Sequence, residues 1–280
     1  MNSIKNKRVI ITGPTSGVGR EIALQLGALG AELILACRDV KKGRKVADQI
    51  ARHGGANPVV VMHMDVSSQA SIRNFALEIR ETYSRLDVLI NNAAGNRGVL
   101  PKTNSVDGIE LTFATNVLAY FLLTQELEEL LTQSAPARII NVASTFASDL
   151  DLDDLQFERR PFESFKAYAQ SKACNRLLTW ALARRLEGSG LTANAMTPGL
   201  ITETGLYRHA PPELMERLNQ YSHGRTSAQG ADTAVWLASD SDLEGVSGKF
   251  FENRKEIECQ LRNKDDEEKL WHICESLVNN

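Results

Sequence analysis

The chain has 280 residues, 42% of them hydrophobic and 24% charged, and a net charge of −3. That length is ample for a large buried core, while the slight negative balance gives no electrostatic case for nucleic acid or an anionic membrane as partner. No apolar run reaches the roughly 18–20 residues that span a bilayer, and the first strand starts almost at the N-terminus, so no membrane anchor and no signal peptide are expected. Cys37, Cys174, Cys259 and Cys274 match no zinc or redox spacing. They read as free thiols, and a reducing cytoplasm is the expected location. The five histidines form no metal-ligand cluster, so no metal site is expected.

In chain order, Arg8–Thr12 reads as a buried strand and runs straight into Gly13-Pro-Thr-Ser-Gly-Val-Gly19, which opens a helix. Glycines there let a backbone approach a pyrophosphate, and a helix N-terminus offers free N–H groups and a positive dipole. Gly13, Thr15, Ser16, Gly17, Val18 and Gly19 are therefore candidate nucleotide contacts. A second strand, Glu32–Ala36, ends where a carboxylate would bind both ribose hydroxyls and select NAD. Cys37 and Arg38 stand there instead, with Lys41 and Lys42 close behind. A guanidinium pairs with a 2′-phosphate bidentately, so NADP(H) is the expected cofactor and Arg38 its specificity residue.

Further strands are predicted at Val59–Met64, Val88–Asn91, Arg138–Val142 and Thr192–Met196, all apolar with little polar alternation. Between them lie amphipathic helices. In Ser68–Tyr83, Ile72, Phe75, Ala76 and Ile79 recur at helical spacing; Leu111–Leu131 and Tyr168–Leu186 are longer and more apolar. The alternation predicts an α/β fold, a single doubly wound parallel sheet with helices on both faces. No linker or repeat divides residues 1–280, so one domain is expected, with a cofactor half of about 1–140 and a catalytic half of about 141–280. Leu270, Trp271, Cys274, Leu277 and Val278 share one helical stripe, which predicts a C-terminal helix docked on the body.

Tyr168 and Lys172 are spaced i, i+4 and so share a helix face. A free phenol titrates near pH 10, and a cation held close lowers that value. The pair is a candidate proton-transfer device. Ser144 follows the fifth strand, at the sheet edge where open α/β folds bind ligands.

The glycine spacing, Asp65-Val66, Asn91-Asn92-Ala93, Asn116, Ser144, Tyr168/Lys172 and Pro198-Gly199 occur in the order found in short-chain dehydrogenases/reductases, a family with a Rossmann-type fold. The resemblance covers essentially the whole chain. Within the family the chain looks most like the retinol dehydrogenases, through Ala36-Cys-Arg-Asp39, Ser134–Ser144, Gly248-Lys-Phe-Phe251 and Leu270-Trp271. It also resembles protochlorophyllide reductases, through Ala167–Asn175 and Thr204–Arg208.

The resemblance implies hydride exchange between a nicotinamide and a carbonyl or alcohol. Tyr168 would be the general acid or base, Lys172 its tuner and a ligand of the nicotinamide ribose, Ser144 the holder of the substrate oxygen, and Asn116 the support of a relay water. It extends the cofactor contacts to Asp65, Val66, Asn92, Ala93, Ala94, Pro198, Gly199, Ile201 and Thr202. It places a substrate lid at about 200–225, where Leu206, Tyr207, Leu214, Met215, Leu218 and Tyr221 suggest a partly apolar small molecule. An acidic insert, Asp149–Arg160, would wall the pocket. Two positions depart from the family pattern: Ala94 replaces a glycine, so that loop is expected to sit slightly differently, and Ala143 replaces a serine. The unusually apolar Leu111–Leu131 and Tyr168–Leu186 helices suggest a homodimer. Reduction of a carbon–carbon double bond and a catalytically silent NADP-binding protein are the alternatives.

Overall fold

The computed structural model describes residues 4–55, 57–96, 98, 100–201, 216 and 224–279. Eight strands form one sheet in the order β3-β2-β1-β4-β5-β6-β7-β8. They are β1 (Arg8–Thr12), β2 (Glu32–Cys37), β3 (Val59–His63), β4 (Val88–Asn91), β5 (Ala137–Val142), β6 (Leu191–Met196), β7 (Phe250–Glu252) and β8 (Lys255–Glu256). All neighbours pair in parallel except β7 and β8. Among the described residues the α-helices are α1 (Gly17–Ala28), α2 (Val40–Arg52), α3 (Gln69–Thr82), α4 (Leu111–Phe113), α5 (Ala119–Gln133), α6 (Ser164–Arg185), α7 (Ser227–Ser239) and α8 (Lys264–Asn279).

The unbroken apolar strands follow from burial on both faces. Val9 and Ile11 pack with Ile22, Leu26 and Ala234 of α1 and α7. Ile10, between them, packs on the opposite face with Phe75, Val117 and Leu123. Each of these strand side chains is fully buried, which stabilises the fold by about 1.5–3 kcal/mol apiece. Strand order reverses between β1 and β4, so the ends of β1 and β4 and the start of α1 meet at the crevice where such sheets bind ligands.

Three differences from the predicted elements have physical causes. The helix expected over Leu111–Leu131 is interrupted by a π-turn at Ala114–Leu118, where Ala119 N–H donates to the Ala114 carbonyl. α6 starts one turn before Tyr168, at Ser164. β7 and β8 were not anticipated. They are three and two residues long, joined by Asn253 and Arg254 at φ of 51° and 59°, a tight hairpin turn that here does without glycine.

The C-terminal helix docks as expected, with Leu270, Trp271, Cys274 and Val278 buried. It covers α5 and α6. Trp271 meets Phe121 of α5 edge-on with ring centroids 4.8 Å apart, the Arg185 guanidinium lies 4.0 Å from the Trp271 ring centroid, and Arg184 pairs with Glu267 and Glu268. The apolar excess of these two helices, from which a homodimer was expected, is thus covered within the chain and no longer argues for one. Among the described residues no helix is long and apolar enough to cross a membrane.

Candidate active site

The turn after β1 is shaped by what its residues lack. Gly13 and Gly17 have φ of 65° and 54°, which other residues rarely adopt. A Cβ on Gly19 would lie 2.2 Å from Asn92 Nδ2 and 2.3 Å from the Gly13 carbonyl oxygen, and one on Gly13 would lie 2.8 Å from Ala93 Cα. Ser16 precedes α1 but makes no side-chain cap, and the first turn carries no acid. By contrast Asp39, Ser68 and Thr226 each cap the helix that follows them. The first N–H groups of α1 are thus left for an incoming anion.

Two threonines, not singled out from sequence, brace this edge. The Thr12 hydroxyl oxygen accepts from Asn92 N–H and Ala93 N–H, both at 2.9 Å, while Asn92 Nδ2 donates back to the Thr12 carbonyl at 2.9 Å. The Thr197 hydroxyl oxygen likewise accepts from Thr145 N–H and Gly199 N–H, both at 3.3 Å. A hydroxyl ending an otherwise apolar strand was the available signal.

At the end of β2, Cys37 is buried and Arg38 is exposed, with no ion pair among the described residues. Asp39, the nearest carboxylate, is held below its usual range chiefly by its bond from Lys42 N–H. Asp65 accepts from the N–H and hydroxyl of Ser67 at 2.9 and 2.7 Å, and Val66 packs partly into the core. A nicotinamide dinucleotide, the group that the resemblance implies, suits this donor set: free N–H groups for phosphate, glycines cleared for close approach, and at the end of β2 an exposed guanidinium with no ion pair among the described residues.

α6 brings the chemical groups into place. Lys172 is buried, and its ammonium donates to the Val142 carbonyl at 2.9 Å and lies 5.7 Å from the Tyr168 ring centroid and 5.6 Å from that of Tyr120. No carboxylate among the described residues pairs with it, and burial pulls its pKa down to about 7. Burial also pushes the Tyr120 phenol well above its usual range, with Tyr168 adding to the shift. Tyr168 is the less buried of the two phenols, 9% exposed against 4% for Tyr120, so it is the one better placed to exchange a proton with a ligand. The Ser144 hydroxyl oxygen accepts from Phe146 N–H at 3.0 Å, leaving its own proton to donate.

The Asn116 side chain uses both of its N–H donors and its oxygen within the chain. Its Oδ1 accepts from Gly95 N–H at 2.8 Å, and its Nδ2 donates to the Gly95 carbonyl and the Ser171 hydroxyl, both at 3.0 Å. Ala94 is exposed in the loop that follows β4. The insert turns on Asp154, whose carboxylate accepts from the N–H groups of Glu158, Arg159 and Arg160, and Gln170 of α6 ties it down through Leu155 at 3.0 Å. Of the expected lid only the base is described. Ile201 bridges to Arg225, which donates to the Leu200 and Pro198 carbonyls at 2.8 and 3.0 Å. Thr202 and the apolar lid residues from Leu206 to Tyr221 lie outside the described residues.

Sheet order, the open start of α1 and the Tyr168–Lys172 face of α6 converge on one crevice, which is the architecture of a dinucleotide-dependent dehydrogenase. The short chain dehydrogenase family matches residues 7–213, and the chain belongs to that family, within its retinol dehydrogenase-like group. It is 40% identical to mouse retinol dehydrogenase 14, over 97% of this chain and 86% of the relative. Among solved structures, an uncharacterised protein from Mycobacterium paratuberculosis superposes with a TM-score of 0.78 at 30% identity, covering 99% of this chain and 95% of that one. The Pseudomonas aeruginosa RhlG/NADP active-site complex superposes with a TM-score of 0.73 at 27% identity, covering 89% and 95%.

Proposed function

We propose that this hydride-transfer oxidoreductase works with NADP(H), as one domain, on the carbonyl or alcohol of a partly apolar small molecule. The observation that carries the reading is the buried Lys172 ammonium, unpaired by any described carboxylate and set below the Tyr168 ring. A cation so placed favours the phenolate and makes Tyr168 a usable acid and base near neutral pH. Tyr168 gives its proton to the substrate oxygen in reduction and takes it back in oxidation. Ser144 donates to the same oxygen and orients it. Asn116 fixes the Gly95 loop, and Lys172 also holds the ribose next to the ring. The bound nicotinamide supplies the hydride.

Arg38, exposed and with no ion pair among the described residues, supports NADP(H) over NAD(H), as does the absence of an acid at Cys37; the RhlG/NADP complex agrees. Phe146 supports an apolar substrate: it is 53% exposed and stacks beside Tyr168 with ring centroids 6.4 Å apart. Relatives named retinol dehydrogenases fit the same reading. The test is NADPH oxidation with all-trans-retinal, nonanal, acetophenone and cyclohexenone. Turnover of at least one aldehyde or ketone to its alcohol is expected. Tight NADPH binding with no oxidation by any of them would support the silent reading instead.

A further inference from the structure

The Tyr168–Lys172 face of α6 continues one turn further to Arg176. This side chain is 6% exposed, and no described carboxylate pairs with it. A buried charge without a counter-charge is costly to keep, so the contacts that it does make carry weight. One terminal nitrogen donates to the backbone carbonyl of Ser144, and the other reaches Cys259 Sγ at 3.2 Å. The guanidinium carbon stands 4.2 Å from the centre of the Phe250 ring, while Nε is buried without a partner.

Ser144 lies just beyond the end of β5, where ladder pairing gives out. Its neighbours are still tied to the end of β6 and the residue that follows it, Ala143 N–H to the Met196 carbonyl at 2.8 Å and Thr145 N–H to the Thr197 hydroxyl at 3.3 Å. The Ser144 carbonyl has Arg176. That bond fixes the Ser144–Thr145 peptide plane, and with it the short turn in which Phe146 N–H meets the Ser144 hydroxyl. Lys172 and Arg176, four residues apart on the helix, thus grip the carbonyls of Val142 and Ser144, two apart on the emerging strand.

We propose that Arg176 is a positioning residue, holding the Ser144 hydroxyl in the orientation that receives the substrate oxygen, with the Phe250–Cys259 segment backing it. This rests on the role given to Ser144 in the proposed function.

The test is a double-mutant cycle of Ser144→Ala and Arg176→Met, with NADPH oxidation by all-trans-retinal, or by nonanal if that is faster, as the readout. NADPH affinity by fluorescence and thermal melting accompany it. Arg176→Met should lower kcat by about 10- to 100-fold, the usual cost of a misplaced reacting group, with NADPH affinity unchanged. Arg176→Lys, which keeps a charged donor, should recover most of the loss. On the Ser144→Ala background, Arg176→Met should cost almost nothing more. Where Arg176→Met melts more than about 10 °C early, several kcal/mol of lost stability, the cycle is run with Arg176→Lys, whose smaller loss must likewise vanish on that background. Equal losses on both backgrounds would overturn the inference and leave the role of Ser144 standing. Full turnover by Ser144→Ala would remove both.

Discussion

α1 and α6 reach the same crevice on opposite terms. The start of α1 works through absence: no capping side chain, and no Cβ at Gly13 or Gly19, where one would strike backbone or Asn92. α6 works through enclosure, being buried at every residue from Ala167 to Leu182, so that Lys172 is held close to the Tyr168 ring and Arg176 against the Phe250 ring, both out of water. The first end demands backbone geometry from its residues. The second demands particular side chains in a dry place. Substitutions should therefore separate the two, α1 changes acting on cofactor binding and α6 changes on turnover.

The largest effect should come from Tyr168→Phe, which removes the proton donor. Steady-state assays should show about 10²–10⁴-fold less turnover, and fluorescence titration should show NADPH affinity intact. Next comes Gly19→Ala. Its methyl would sit 2.3 Å from the Gly13 carbonyl oxygen, so NADPH affinity should collapse and stability should fall by about 1–3 kcal/mol. Wild-type affinity in that variant would deny the loop its role. Exchanging Cys37→Asp together with Arg38→Ser should move the ratio of kcat/KM towards NADH by roughly 10- to 100-fold, the worth of a charged hydrogen bond at about 1.5–3 kcal/mol. An unchanged ratio would break the NADP(H) assignment.

Smaller effects test enclosure itself. Burial pulls Lys172 from its ordinary value of 10.5 down to about 7, so between those values the unfolded chain binds more protons. Its contribution therefore makes the cofactor-free protein more stable as pH rises through that window, and the full penalty is present below about pH 7. Lys172→Met should raise the melting temperature of the cofactor-free protein near neutral pH and flatten that slope, while removing activity. The smallest effect is a contrast within the glycines. A Cβ on Gly95 would meet nothing within 4 Å, so Gly95→Ala should change stability by less than about 0.5 kcal/mol.

The difference between the two helices also governs what could be read from sequence. Gly13, Gly17 and Gly19 act locally, through φ and close approach, so their spacing announces them. β1, β2, β4, β5 and β6 announce themselves as mostly apolar runs because both faces of the sheet are covered there, and the edge strand β3 by its three successive valines. β7 and β8 are too short for any periodicity, and the turn between them uses Asn253 and Arg254 where glycine would have been the signal. The π-turn around Asn116 leaves the apolar pattern of its helix unbroken and so leaves no trace in it. Tyr168 and Lys172 were legible as a pair, but the grip of Lys172 and Arg176 on Val142 and Ser144 depends on contacts across 30 and 32 residues. The apolar surplus of α5 and α6 was legible as well, but not that a helix near the far end of the same chain packs on both.

The destination of the hydride distinguishes carbonyl reduction from double-bond reduction most directly. NADPH deuterated at C4 of the nicotinamide, incubated with all-trans-retinal, should yield retinol with deuterium on the carbon that bears the new hydroxyl. The label should be absent from retinol when Tyr168→Phe replaces the wild type over the same time. Deuterium on a former double-bond carbon, or labelled retinol formed as fast by Tyr168→Phe as by the wild type, would contradict carbonyl reduction through Tyr168.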